Sequence, residues 1–174
     1  MILKQSNGIL IKMITLHEGA KAPDFNLPAS NGKTISLKNF KGKNNVVLYF
    51  YPKDDTPGCT VEACEFKNDF KSFEKLDTVI LGVSPDELNS HDKFIQKFNL
   101  PFILLSDEDK KTCQDYGVWQ EKSMYGRKYM GVLRTTFVID KEGMIQKIFE
   151  KVTPKGHSQE ITTLLKTKHP SNQY

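Results

Sequence analysis

The sequence predicts an α/β protein built round a mixed central sheet. Three observations carry this expectation. Two apolar runs, Val46 to Tyr51 and Val79 to Val83, have the length and composition of fully buried strands. Each is followed by a stretch with apolar residues at helical spacing, so that strands and helices alternate. The chain then ends on two short apolar segments, Phe137 to Ile139 and Ile145 to Phe149, facing each other across Lys141-Glu142-Gly143, and a last helix.

Taken in order, residues 1–12 precede any clear pattern and are expected to be a disordered extension, with Met13 as a possible true start. Ile9 to Ile11 is too short an apolar run for a signal peptide. Phe25 to Leu27 and Thr34 to Leu37 flank Ser30-Asn31-Gly32-Lys33 and read as an N-terminal β-hairpin. The buried strand from Val46 leads to a helix from Cys59 to about Lys75. After the strand Val79 to Val83, Ser84-Pro85-Asp86 supplies a turn and cap for a helix carrying Phe94, Ile95 and Phe98. Ile103 to Leu105 is another strand, and Lys110 to Tyr116 a short helix. Gly117 to Gly131, rich in aromatics and glycine, reads as a loop. The last helix carries Ile161, Leu164 and Leu165, and residues 169–174 form a loose tail. The whole is one domain, residues 13–168.

Composition excludes several functions. The 25 basic and 21 acidic residues of this 174-residue chain leave a formal charge of +4, too small and dispersed to expect nucleic-acid or membrane partners. No apolar run approaches the roughly 18 residues of a membrane span. Three cysteines make no disulfide scaffold and point to catalytic thiols in a reducing compartment, the cytoplasm. Gly42-Lys43 lacks the upstream glycine of a phosphate loop. Lys38, Lys41 and Lys43 read as a solvated surface.

The chemistry concentrates in Tyr51 to Cys64, YPKDDTPGCTVEAC. Pro52 breaks the strand, and Asp54 to Gly58 are the residues of a tight loop. Cys59 then falls in the first turn of a helix, among backbone N–H groups that lack helical acceptors and at the positive end of the helix dipole. Such a position favours thiolate over thiol. Cys59, Ala63, Phe66, Phe70 and Phe73 share one stripe of the helix, so Cys59 faces the protein body. Cys64 lies roughly 140° round, on the flank of Lys67 and Lys71, and is expected to face water. Five residues of regular helix separate the two Cα atoms by about 8 to 9 Å. A disulfide needs about 4.4 to 6.8 Å. The two cysteines therefore cannot bond unless the start of the helix unwinds.

The run Pro52-x-x-x-Thr56-x-x-Cys59 resembles the active-site motif of peroxiredoxins. Cys59-Thr60-x-Glu62-Ala63-Cys64 is similar to the bacterioferritin-comigratory, or Q-type, branch. Ala22-Pro23-Asp24-Phe25, Tyr116-Gly117-Val118-Trp119, Met124-Tyr125-Gly126 and Arg134-Thr135-Thr136-Phe137-Val138-Ile139-Asp140 extend the resemblance over about residues 13 to 165. It implies a thioredoxin-like fold and a peroxidase that reduces hydrogen peroxide and organic hydroperoxides without a cofactor or metal. Cys59 would be the nucleophile that becomes a sulfenic acid, and Cys64 the thiol that resolves it as a Cys59–Cys64 disulfide. Thioredoxin, or a glutaredoxin in some members, would reduce that disulfide, and relatives of this type are often monomers. The resemblance further assigns Thr56 to hydrogen-bonding the peroxide, Pro52 to shielding the thiolate, and Arg134 to stabilising the thiolate and transition state. The backbone N–H groups of Gly58 and Cys59 could serve as donors, and Glu62 could orient Arg134.

Plainer readings compete at each residue. Cys113 sits three residues before Tyr116 and reads as helix packing; Trp119 and Tyr125 read as packing aromatics. His17, His91, His157 and His169 stand in polar contexts and are expected in solvent, which argues against a zinc site. Two other functions use the same thiols. A protein thiol–disulfide oxidoreductase would want Cys-x-x-Cys, and a cis-proline where Thr135 stands. A non-enzymatic redox sensor or holdase would use the disulfide as a switch.

Overall fold

A computed structural model describes residues 16–168, together with the backbone of two short segments, Leu3–Ser6 and Ile9–Lys12. These two segments lie in the stretch assigned to an N-terminal extension and pair with each other as an antiparallel ribbon, β1 and β2. The expected tail at residues 169–174 lies outside the described residues.

Strands β3 (Asn26–Pro28) and β4 (Thr34–Ser36) form the expected hairpin, and a 3-10 turn, Leu37–Phe40, follows. The central sheet takes β5 (Asn45–Phe50), β6 (Thr78–Ser84), β7 (Ile103–Ser106), β10 (Thr135–Ile139) and β11 (Ile145–Phe149) in the order β11-β10-β5-β6-β7. β5, β6 and β7 run parallel; β10 is antiparallel to both its neighbours. The sheet is therefore mixed, as predicted, and has helices packed on it as in the thioredoxin-like fold.

Period-two alternation along β5 divides the core. Val46, Leu48 and Phe50 pack on one face with Leu27, Ile35, Tyr116 and Phe137. Val47, Tyr49 and Tyr51 pack on the other with Cys59, Ala63, Phe66, Phe94 and Ile161. Both faces are covered, so the strand carries no polar alternation and reads as one apolar run. α1 (Pro57–Asn68), α2 (Phe70–Lys75), α3 (Leu88–Phe98) and α5 (His157–Lys168) bring their apolar residues to the second face. α4 (Lys111–Asp115) brings Cys113 to the first.

Gly82 on β6 marks a tight place in this packing. A Cβ there would sit 2.7 Å from Leu104 Cδ2 and 2.8 Å from Tyr49 Cζ. Both contacting side chains are buried, so neither can swing away. Gly82→Ala is expected to destabilise the fold by about 1–3 kcal/mol through overpacking, read as a lowered thermal unfolding midpoint with unchanged secondary structure.

Two elements differ from expectation. The single helix from Cys59 to Lys75 begins two residues earlier, at Pro57, and is broken at Asp69, which leaves helical geometry at φ −97°, ψ 7°. At the break the Asp69 carboxylate accepts a hydrogen bond from Ser158 Oγ at 2.7 Å, which ties this point to α5. The break shifts the phase, and Phe70 is only half-buried while Phe73 is fully buried. The expected loop at Gly117 to Gly131 is largely a hairpin, β8 (Trp119–Met124) with β9 (Arg127–Val132), turning on Tyr125 and Gly126, both at positive φ. Most of it is exposed on both faces, so it carries no apolar alternation to betray a strand. Tyr125, read as a packing aromatic, stands at the tip and is 99 % exposed.

Candidate active site

β5 ends at Phe50, and the chain enters a loop that delivers Cys59 to the first turn of α1. Thr56 caps the helix with extended backbone (φ −96°, ψ 155°), Pro57 takes the first helical position, and Cys59 is the third residue. The first helical hydrogen bond runs from Thr60 N to Thr56 O at 2.8 Å. The N–H groups of Gly58 and Cys59 precede it and have no intrahelical acceptor. The expected arrangement of a cysteine at an N–H-rich helix start is present.

The structure brings Arg134 to this point from the turn between β9 and β10, 75 residues on. Its Nη2 donates to Cys59 Sγ at 3.3 Å and its Nη1 to Glu62 Oε1 at 2.9 Å. The guanidinium fork thus bridges two side chains one helical turn apart on α1, a task for a planar, permanently charged group. Glu62 side chain is 1 % exposed and that of Arg134 16 %. Burial pushes the Glu62 carboxyl up to about 7, with the charge and hydrogen bond of Arg134 pulling against it. Its second oxygen, Oε2, is buried without a protein partner. Cys59 itself is 2 % exposed.

A further segment joins the site that the sequence did not single out. Val152 N donates to Arg134 O at 3.0 Å, fixing the arginine backbone. A Cβ on Gly58 would meet Arg134 Nη2 at 3.0 Å and Pro154 Cγ at 3.6 Å, so glycine lets the arginine lie close over the helix start. Gly156 N donates to Glu65 Oε2 at 2.7 Å, tying the same segment to α1. Nothing in Lys151 to Gly156 except its proline and glycine signalled this role; the contacts that bring it to the site reach Arg134, Gly58 and Glu65, all distant in sequence.

Of the other residues named from sequence, Thr56 and Pro52 are half-buried beside the loop. Thr56 Oγ1 donates to Lys53 O at 2.8 Å. Cys64 is on α1 as expected but half-buried rather than facing water. Neighbouring residues of its helix are tied to other elements: Lys67 Nζ donates to Phe98 O at 2.8 Å, and Glu65 takes Gly156 N. Cys59, Cys64 and Cys113 are all free thiols. Cys113 is fully buried, and burial, reinforced by Asp107, pushes its thiol far above the ordinary range.

The histidines correct the sequence reading. His17 is exposed as expected, and His169 lies outside the described residues. His91 and His157 are buried, at 0 % and 4 % exposure. His157 Nε2 lies 2.7 Å from Thr136 Oγ1; His91 pairs with Asp54 and the Leu105 carbonyl. Both sit in polar sequence because only one face of each helix turns inward. Asp54, Asp86 and His91 bring ligand-type atoms within 4.8 Å of one another, but each already has protein hydrogen-bond partners.

The chain resembles known proteins over most of its length. Residues 19–148 match the model of the AhpC/TSA family. The chain is 50 % identical over 153 residues to peroxiredoxin Bcp of Bacillus subtilis, covering 88 % of this chain and 97 % of that one. It is 40 % identical over 154 residues to peroxiredoxin Bcp of Escherichia coli, covering 88 % and 98 %. Among solved structures, a peroxiredoxin Q mutant of Xylella fastidiosa superposes with a TM-score of 0.83 at 34 % identity, covering 88 % of this chain and 98 % of that one. The bacterioferritin comigratory protein of Xanthomonas campestris, studied for alkyl peroxide reduction, gives 0.78 at 38 % identity over 83 % and 91 %. A thiol at a helix start, hydrogen-bonded to an arginine that also pairs with a buried glutamate, is thus found in a chain that belongs to the AhpC/TSA family and is a peroxiredoxin of the Bcp/Q type, a thiol peroxidase.

Proposed function

We propose that Cys59 is the peroxidatic cysteine, that Cys64 resolves it, and that thioredoxin returns the enzyme to its dithiol form. The observation that carries this is the Arg134 fork, with one nitrogen on Cys59 Sγ and the other on Glu62. The Cys59 thiolate attacks one oxygen of the hydroperoxide; the O–O bond breaks and the other oxygen leaves as hydroxide or alkoxide, taking up a proton. Sulfur is oxidised to sulfenic acid. The guanidinium and the Gly58 and Cys59 N–H groups are placed to meet the negative charge passing between sulfur and oxygen. Thr56 has spent its hydroxyl hydrogen on Lys53 O, so Oγ1 offers lone pairs to the O–H of the peroxide. Pro52, half-buried beside the loop, shields the sulfur from water.

In the second step the Cys64 sulfur attacks the Cys59 sulfur, an S–S bond forms and water leaves. Both residues lie in one continuous helix, so the first turns of α1 must unwind for this to occur. A dithiol reductant then exchanges with the disulfide. The reading also places the enzyme in the cytoplasm, as a monomer, with residues 13–168 as the working domain. No described helix is long and apolar enough to cross a membrane.

Cys64→Ser is expected to consume about one equivalent of peroxide and then stall with thioredoxin and its reductase. In the unmodified protein, mass spectrometry after one equivalent of peroxide should map a Cys59–Cys64 linkage. Sustained turnover by Cys64→Ser would overturn the role of Cys64.

A further inference from the structure

We propose that Asp54 and His91 form a buried carboxylate–imidazolium pair that holds the Cys59 loop in its reactive shape, which makes both of them positioning residues. The proposal rests on the peroxidase reading above. Asp54 lies five residues before Cys59, and His91 on α3. The side chains are 3 % and 0 % exposed, with His91 Nδ1 2.7 Å from Asp54 Oδ2. On its other side His91 Nε2 lies 2.9 Å from Leu105 O, which can only accept. Asp54 receives three donor-type groups: Tyr51 OH on Oδ1 at 2.5 Å, and Ser90 Oγ at 2.8 Å and His91 on Oδ2. A carboxylate accepts from all three, and imidazolium is the one histidine form that donates at both nitrogens. Removing two charges from water is costly, but here each is surrounded by partners.

The pair is joined to the reactive loop through the backbone. Asp54 N donates to Asp86 Oδ2 at 2.8 Å, so Asp54 links the loop to Tyr51 just after β5, to Asp86 just after β6, to α3 and, through His91, to β7. The next residue, Asp55, is held at φ 56°, a left-handed conformation unfavourable for a non-glycine residue. Lys53, on the other side, supplies the carbonyl that orients Thr56. Anchoring Asp54 therefore sets the strained residue, the Thr56 hydroxyl and the start of α1 together.

The titratable groups facing the imidazole are Asp54, Asp86 and Tyr51. Burial works against the charge, but the hydrogen bond and charge of Asp54, the Leu105 carbonyl and Asp86 outweigh it and hold His91 above its ordinary value. The grip is therefore complete below about pH 6.5 and weakens as pH rises through the raised value.

The test uses the full chain. Nitrogen NMR of the His91 ring at about pH 7 is expected to show both nitrogens protonated; a neutral ring with one protonated nitrogen overturns the pair. Stopped-flow rates of Cys59 oxidation by hydrogen peroxide are expected to fall about tenfold in Asp54→Asn. The unmodified protein should lose rate on its alkaline side, and His91→Asn, slower throughout, should lack that limb. If the unmodified protein reacts and both variants match it at every pH, the positioning role falls alone. If the unmodified protein does not consume peroxide, the peroxidase reading falls with it.

Discussion

Cys59→Ser is expected to lower peroxide consumption by more than about 10³-fold, to the uncatalysed background. The substitution is nearly isosteric and the site is 2 % exposed, so the surrounding packing has little reason to move. The loss is chemical. A serine hydroxyl is not ionised beside a guanidinium at neutral pH, and its oxygen cannot be oxidised to a sulfenic acid analogue. The other thiols offer no substitute. Cys113 is walled off in the core with its thiol pushed up by burial, and no described hydrogen bond or ion pair joins Cys64 to Arg134. The measurement is peroxide consumption coupled to thioredoxin and its reductase, with thermal unfolding as the control for fold. Turnover within tenfold of the unmodified protein would show that another group carries the reaction.

Arg134→Ala should slow the reaction of Cys59 with peroxide by about 10²–10³-fold, the usual cost of removing one preorganised donor from developing charge. The side chain serves both Cys59 and Glu62, so lysine should recover only part of the loss: one ammonium cannot reproduce a fork aimed at two residues. The same substitution strands Glu62. Its carboxyl is at about 7 with Arg134 present, and without the arginine it rises further and is largely neutral at pH 7. A carboxyl whose folded value exceeds its unfolded value of about 4.5 binds more protons when folded. Its contribution to stability is most favourable below about 4.5 and declines as pH rises through the folded value. In Arg134→Ala that decline continues to higher pH, so its stability deficit should be larger at about pH 8.5 than at about pH 6. Thermal unfolding at the two values checks this, and stopped-flow oxidation checks the rate. An Arg134→Ala protein that reacts at the unmodified rate would remove Arg134 from the mechanism.

On the proposed Cys59–Cys64 mechanism the helix bearing Cys59 must be both held and loose. The Arg134 bridge grips its first turn, at Cys59 and Glu62, and its second half is tied by Glu65, Lys67 and Asp69 to Gly156, Phe98 and Ser158. Disulfide formation between Cys59 and Cys64 must release the first grip. The ties beyond Cys64 need not break, so the unwinding can be confined to the residues from Pro57 to Cys64.

The amino-acid sequence alone determined the buried strand from Val46, the loop and helix start that follow it and carry Cys59, the mixed sheet, and the spacing that keeps Cys64 out of disulfide reach. All of these rest on local periodicity, turn chemistry and helix geometry within a few residues. The motif also nominated Arg134, although its neighbourhood reads as an ordinary charge before a strand. Only the tertiary structure decided that Arg134 reaches both Cys59 and Glu62, that Val152 to Gly156 closes the site, and that His91 is buried against Asp54. Each of these joins residues dozens of positions apart, and side-chain pairing at that range depends on how the layers pack. The helix break at Asp69 and the exposed β8–β9 hairpin were hidden for different reasons: the break accompanies a long-range tie to α5, and the hairpin pairs two strands that have no buried face.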